Sequence, residues 1–411
     1  MEKEILKKIK KTFNSIIPKD SRSKITPMEL VTNLIFCFLG DSKTFSLEAI
    51  RRFMIKQTGV AIGRSSFWER LARNRSKTIL KSIIEKLMQQ LTQSILGTKD
   101  ILADLGVSQI LLLDSTSISL WDGAKDNYPG TRTTAGIKWH ACFDLLTGVM
   151  TWFSLSPTST HDRKCIPSLE SISGKLIIFD LGYWDYGLLF QIQKAKGFFL
   201  SRIKQGSQVL IDTVICGISN VHVGKNLSSL NLKKKKSDII ELIGYLGSKE
   251  INETYRIIGF WNPDKKLYHW YITNLTVSAV VVYSLYRLRW QIELIFKACK
   301  NSLNANSIPS NKDNIIESLL LASIAACLIS NSVLSSISCS MDNQKKLAFS
   351  FQRIAKVAIV LATDFILFIT RSSKKFLDAL LKNIKLLANE LYDPNYKHRK
   401  TSLQKIYYEL K

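Results

Sequence analysis

A chain of 411 residues with 58 Lys and Arg against 33 Asp and Glu has a formal net charge of +25, the electrostatic footprint of a protein that meets a polyanion. With 46% hydrophobic residues it can bury two to three cores, which excludes a disordered basic tail. Its seven cysteines, at 37, 142, 165, 216, 299, 327 and 339, are odd in number and form no CxxC pair, which argues against a disulfide framework or a zinc ribbon and fits a reduced cytosolic protein.

The N-terminal stretch MEKEILKKIKKTFNSIIPKD alternates charged and apolar residues without an uninterrupted apolar run, so it reads as an amphipathic helix and not as a secretory signal. Residues 1 to 105 as a whole read as helical, with apolar spacing in MELVTNLIFCFL, SLEAIRRFMIKQTG and SSFWERLARNRSKTILKSIIEKLMQQL. Ser46 suits the N-cap of the second of these, and Ser65 or Ser66 that of the third. The short turn at Gly59 and Gly63 between them fits a helix-turn-helix that offers Arg64, Arg70, Arg73 and Arg75 to DNA, and equally a plain helical hairpin.

From 106 the period shortens to that of strands: QILLLDSTSISL, AGIKWHACFDLL, GVMTWFSLSP, a helix in HDRKCIPSLESI, then KLIIFDL, a helix in WDYGLLFQIQKAKG and the strand FFLSRIK. Three sequential strands followed by a helical crossover describe a mixed sheet with helices packed on it. Two of the strands end an apolar run with an aspartate, Asp114 and Asp180. A carboxylate there needs a metal ion, a helix N-terminus or an Arg or Lys as partner.

Between 204 and 275 four more strands are expected, SQVLIDTVIC, DIIELIGYLG, TYRIIGFWN and KLYHWYITNL, as an inserted antiparallel unit. The lysine run Lys233 to Lys236 inside it reads first as a solvated loop and second as a DNA contact. The segment YRLRWQIELIFKACK follows, with Tyr286, Arg289, Glu293 and Lys300 at offsets that fall within roughly 60° of arc on one helix. Such a face suits a metal ion beside a phosphate backbone, and equally a surface helix braced by the Arg289–Glu293 pair. Beyond it, helices are expected over about 313–340, 350–371 and 374–410. Residues 318–336 carry no charge and have the length of a membrane span. Serines, an asparagine and the nearby Asp364 favour a helix buried in a soluble core.

Asp114, Asp180 and Glu293, with the tyrosine, arginine, glutamate and lysine at this spacing, resemble the DDE transposases of bacterial insertion sequences. The similarity covers about residues 106–305 and includes the DST triplet at Asp114, AGIKWHACFDLLTGV and DLGYWDY. It implies a mixed α/β fold: a ribonuclease-H-like catalytic core at 106–203 and 276–312, interrupted by a β-rich insertion at 204–275. Helical regions at 1–105, for DNA binding, and 313–411 flank it. It also implies that Asp114, Asp180 and Glu293 hold two Mg²⁺ or Mn²⁺ ions, with Asp114 bridging, and that Tyr286, Arg289 and Lys300 hold DNA phosphates. Expected partners are element ends, target DNA and a second copy of the chain on DNA, in the bacterial cytoplasm without a membrane.

Other side chains carry open alternatives. Lys138 and His140 alternate on one strand face and are expected to approach DNA; Thr116 shares the face of Asp114; His161 orders its loop or caps a helix. Trp261 and Trp270 are expected in core packing, with base stacking as the functional alternative. An inactive DNA-binding relative and a stand-alone metal-dependent nuclease are the competing functions.

Overall fold

The computed structural model of the chain describes residues 1–20, 22–37, 46–91, 99–230, 232, 238–247, 253–303, 307–308, 310–337 and 350–392. The lysine run 233–236, Cys339 and the expected helix beyond 392 lie outside these.

Ten strands form one sheet. In chain order they are β1 (Ile110–Leu120), β2 (Gly136–Asp144), β3 (Met150–Pro157), β4 (Leu176–Phe179), β5 (Phe198–Arg202), β6 (Val209–Cys216), β7 (Ile239–Leu246), β8 (Thr254–Asn262), β9 (Leu267–Thr273) and the short β10 (Ser307–Ile308). The sheet order is β3-β2-β1-β4-β5-β9-β8-β7-β6, with β10 beside the end of β1. The first five, with β1 to β3 antiparallel and β1, β4 and β5 parallel, follow the order expected of a ribonuclease-H-like core. The inserted strands do not make a detached sheet: β9 pairs antiparallel with β5, Leu200 opposite Thr273, and extends the same surface. Arg256 fastens the inserted strands to the returning chain, donating to Glu241 at 2.6 Å and to the carbonyl oxygens of Leu275, at 3.0 Å, and Val277.

The alternation of side chains along β1 divides the molecule into two cores. Ile110, Leu112 and Ile118 face one with Ile137, Trp139 and Phe296, while Leu111 and Leu113 face another with Phe179, Leu189 and Ile257. Helices cover the first core: α1 (Glu2–Ile16), α2 (Pro27–Cys37), α3 (Leu47–Thr58), α4 (Arg64–Ala72), α5 (Asn74–Leu91) and α6 (Lys99–Leu105) before the sheet. The second core is covered by α7 (Tyr186–Lys194).

Several helix boundaries differ from the expected ones. Ser46 caps α3 by accepting from the Ala49 N–H, whereas α4 starts at Arg64 behind Gly63, leaving Ser65 and Ser66 exposed within its first turn. The long helix expected from 65 breaks at Arg73, whose backbone is extended, and Ser76 Oγ donates to the Arg70 carbonyl across the break. No α-helix forms in HDRKCIPSLESI, only short 3₁₀ turns at Asp162–Lys164 and Leu169–Ile172, because Pro167 lacks the N–H a helix there would use. The segment 350–371 divides at Leu361 into Phe351–Val360 and Ala362–Thr370.

After β9 come α8 (Ala279–Arg287), α9 (Trp290–Leu303) and α10 (Asp313–Ser336). Among the described residues α10 is the one helix long and apolar enough to cross a membrane, and 94% of its most apolar window is buried inside the protein. Within it Ser323, Ser332 and Ser335 each donate to a carbonyl three or four residues back, whereas the Ser318 and Ser330 hydroxyls are buried without a partner among the described residues. It serves as the central strut of the helical layer, in contact with α5, α2 and α1.

Because Leu112 is fully buried beside the Asp114 end of β1, Leu112→Ala is expected to cost about 2–5 kcal/mol of folding stability. Urea unfolding followed by circular dichroism measures this, and a shift within 0.5 kcal/mol would mean that β1 is not the core strand described.

Candidate active site

β1 and β4 run parallel with Leu113 beside Phe179, so the next residues, Asp114 and Asp180, stand side by side on the α9 face of the sheet. Asp114 Oδ1 accepts from its neighbour Ser115 N–H at 2.7 Å, and Oδ2 accepts from Arg289 Nη1 at 3.0 Å. Arg289 Nη2 donates to Glu293 Oε1 at 2.6 Å. The guanidinium therefore bridges two of the three carboxylates. Asp180 Oδ1 accepts from the Tyr286 hydroxyl at 3.1 Å, and although Asp180 sits at the N-cap of a 3₁₀ turn its side chain makes no capping bond.

The four signature residues do not lie on one continuous helix. α8 ends at Arg287, residues 288 and 289 form a turn, and α9 restarts at Trp290. Gln291 N–H bonds to the Leu288 carbonyl and Ile292 N–H to that of Arg289, tightening the turn. Tyr286 thus belongs to α8, Arg289 to the turn, and Glu293 and Lys300 to α9. They still face the middle of β1 and the end of β4: Tyr286 bonds Asp180, Arg289 bonds Asp114 and Glu293, and Lys300 Nζ donates to the Ser117 carbonyl at 2.7 Å.

Burial pushes the Asp114 carboxyl up to about 6, with Asp180 and Glu293 adding to the rise and the Ser115 N–H and Arg289 opposing it. Burial also works against the Arg289 charge, but Asp180, Glu293 and Asp114 more than offset it and hold the guanidinium more firmly protonated than usual. Burial raises the Tyr286 phenol, helped by Asp180, and lowers the Lys300 ammonium. A cleft of about 240 Å³ opens over Asp114, Thr116, Glu293 and Lys300. Thr116 thus lies on the Asp114 side, as the strand period requires.

The donor set is all oxygen, which suits a hard divalent cation such as Mg²⁺ or Mn²⁺. Among the described residues no three His, Cys, Asp or Glu side chains stand close enough together to hold a metal ion as placed. Arg289 supplies the positive charge between Asp114 and Glu293 instead. The residues fit such an ion in kind, and an ion shared by Asp114 Oδ2 and Glu293 Oε1 would take the place Arg289 now holds.

Lys138 and His140 stand elsewhere than expected. Antiparallel pairing sets Ser115 opposite His140 and Ser117 opposite Lys138, so both point to the sheet face away from Asp114. His140 is fully buried, its Nε2 2.8 Å from Ser156 Oγ and its Nδ1 3.2 Å from the Tyr183 hydroxyl, which removes it from DNA contact. Lys138 Nζ donates to Asp162 Oδ1 at 2.9 Å and to the Thr160 carbonyl at 2.8 Å. His161 is exposed and makes no capping bond. Trp261 and Trp270 lie on the same far face, packed on Tyr268 with ring centroids 5.2 and 5.8 Å away.

A second hollow, of about 490 Å³, adjoins the carboxylates between β5, β9 and α8; Arg202, Tyr271, Tyr283, Tyr286, Arg287 and Trp290 line it. Tyr271 packs edge-on to Tyr286 with centroids 4.9 Å apart, Trp290 is 59% exposed, and Arg202 Nε is buried without a partner. Apart from Tyr286, the sequence pattern does not single out these residues, because they meet only through the β5–β9 pairing.

Burial drives the His140 imidazole down to about 4 from an ordinary 6.5, opposed by Asp162 and aided by Lys138. The unfolded chain takes up a proton at His140 between pH 6.5 and 4 while the folded chain does not, so this contribution to stability is complete above 6.5 and is lost as pH falls towards 4. Asp114 acts in the opposite sense, favouring the fold while protonated and losing that contribution as pH rises through about 6. The difference in unfolding free energy between wild type and His140→Gln is expected to change by up to about 3 kcal/mol from pH 7 to 4. A difference that stays flat across that range would exclude a neutral buried imidazole.

The sequence matches the family described as Transposase DDE domain over residues 105–329, more than half of the chain. It is 26% identical over 226 residues to the Sinorhizobium fredii protein y4zB, whose own assignment as a transposase is provisional, covering 54% of this chain and 60% of that one. It is 24% identical over 268 residues to the transposase for insertion sequence element IS1151 of Clostridium perfringens, covering 55% and 57%. Against the transposase for IS231F of Bacillus thuringiensis it is 24% identical over 319 residues, 63% of each. The chain thus spans about three-fifths of the length of the curated relatives it matches. A solved structure of the piggyBac transposase synaptic complex with hairpin DNA aligns at 13% identity and a TM-score of 0.47, covering 95% of this chain and 83% of that one. By its sequence match over the sheet, the carboxylates and α9, the chain belongs to the transposase DDE-domain family.

Proposed function

We propose that the chain is a DNA transposase that cuts the ends of an insertion sequence and joins them to target DNA. The observation that carries this reading is the meeting of Asp114 and Glu293 on the Arg289 guanidinium, with Asp180 beside Asp114 and bonded to the Tyr286 hydroxyl, in a chain of this family. Divalent cations held by these carboxylates supply activation of the attacking oxygen and stabilisation of the leaving one.

The protein's own groups position the strand. Once released from Asp114 and Glu293, Arg289 is placed to grip a phosphate with its fork of donors, and Lys300 adds a second cation from the cleft over Asp114 and Glu293. Tyr286 keeps Asp180 oriented through its hydroxyl. The hollow lined by Tyr271, Tyr283 and Trp290 offers aromatic faces and the Arg202 and Arg287 cations to bases or phosphates beside the cut, a role Trp261 and Trp270 cannot fill from the far face. In the first step water attacks the phosphorus, the P–O3′ bond breaks, and a 3′-hydroxyl and a 5′-phosphate result. In the second that 3′-hydroxyl attacks a target phosphodiester and displaces its 3′-oxygen. Two ends must be held at once, so two copies of the chain are expected to assemble on DNA.

With Mg²⁺ and DNA carrying the inverted repeats that flank the gene, wild type is expected to give both cut and joined products. Asp114→Asn, Asp180→Asn and Glu293→Gln are each expected to lower both by about 10³-fold or more while retaining DNA binding. Cutting without joining would favour a stand-alone nuclease. Binding without cutting would favour an inactive DNA-binding relative, and variants that still cut would remove the three carboxylates from the reaction.

A further inference from the structure

On the sheet face away from Asp114 lies a larger cleft, of about 620 Å³, between β1, the 129–135 loop and the segment after β3. Ser115 lines both this cleft and the one over Asp114 and Glu293, so the two meet at that residue of β1. From Asp114 to Ser119 the strand climbs roughly 17 Å, the rise of about five nucleotides of duplex.

The cleft offers donors. Arg132 is exposed and makes no ion pair among the described residues, and the hydroxyls of Ser117, Ser119 and Ser159 are not engaged there either. Thr158 Oγ1 is buried without a partner. The one carboxylate present, Asp162, is ion-paired: Lys138 Nζ and Ser115 Oγ both donate to its Oδ1, at 2.9 and 3.0 Å, so its charge is offset within the cleft. A surface of one free guanidinium and several spare hydroxyls, with its single acid neutralised, matches a ligand made of repeated anionic acceptors.

We infer that this cleft holds the phosphodiester backbone of a DNA strand running from the Asp114 site across Ser115 and Ser117 to Arg132. The inference rests on the transposase reading for the strand's destination and on the cleft's own donors for its chemistry. The strand belongs either to the element end or to the target, and the two are separable.

The experiment measures fluorescence anisotropy of two labelled duplexes, one carrying the flanking inverted repeats and one without them, across a salt series. It uses wild type, Arg132→Glu, Ser159→Trp as an uncharged block of the cleft, and Lys382→Glu as a charge control on an exposed helix. Arg132→Glu is expected to weaken binding about tenfold and to reduce the slope of log K against log salt by about one. Ser159→Trp should weaken binding similarly, and Lys382→Glu should do neither. If the loss is on the repeat-bearing duplex and end cutting falls with it, the strand is the element's; if it is on the other duplex and joining falls while cutting persists, the strand is the target's. Arg132→Glu and Ser159→Trp proteins that bind both duplexes as Lys382→Glu does would overturn the inference. If wild type binds but never cuts, the transposase reading falls while the cleft is still decided by the anisotropy alone.

Discussion

Three carboxylates gathered at one end of a buried sheet repel one another, and the rest of the site is arranged around that repulsion. At an effective dielectric near 20, two like charges about 5 Å apart repel by roughly 3 kcal/mol. Asp114 shows the strain most plainly, since burial and its acidic neighbours together lift its carboxyl to about 6. Arg289 relieves it by bonding to Asp114 and Glu293 at once, and the Tyr286 hydroxyl does the same for Asp180 without charge. A site that needs a cation to hold its shape is suited to accept a divalent one in exchange. A guanidinium displaced in that exchange would be left beside the site, where it could hold a phosphate.

The scaffold fixes these groups by its pairing. The parallel β1–β4 register puts two aspartates side by side, and Phe296 of α9, packed edge-on against Trp139 at 5.1 Å, holds the helix that carries Glu293 against the sheet. Extension of the sheet through β5 and β9 brings Arg202 and Tyr271 next to the same end, so the inserted strands build part of the site's surroundings. The β2 register sends Lys138 and His140 to the opposite face, where they form with Asp162, from the turn after β3, a separate polar cluster under the larger cleft. One sheet therefore presents a charged carboxylate centre on one side and a hydroxyl-rich groove on the other, joined at Ser115.

Much of this was legible in the sequence for local reasons. The apolar run that stops at Asp180 marks the end of β4, whereas β1 continues past Asp114 to Leu120, and the spacing of Tyr286, Arg289, Glu293 and Lys300 places them near one another even though a turn at 288 and 289 divides the helix. Ser46 was readable as a cap because its side chain bonds only three residues ahead. What could not be read depends on partners distant in sequence. The face on which His140 lies follows from its register with Ser115, and its burial from Tyr183 and Ser156. The hollow at Tyr271 and Tyr283 depends on which strand the inserted unit chooses to pair with, and periodicity carries no information about that. Residues 65–91 kept a helical apolar pattern through Arg73, where the backbone nevertheless extends.

The exchange of Arg289 for metal is the central claim, and anomalous diffraction from crystals of the chain with Mn²⁺ and end DNA tests it most directly. The account predicts Mn²⁺ peaks at roughly 2.0–2.3 Å from carboxylate oxygens of Asp114, Asp180 and Glu293, with the Arg289 guanidinium moved off Asp114 and onto a phosphate. Mn²⁺ bound elsewhere, or absent, while Arg289 still bridges Asp114 and Glu293 would contradict it.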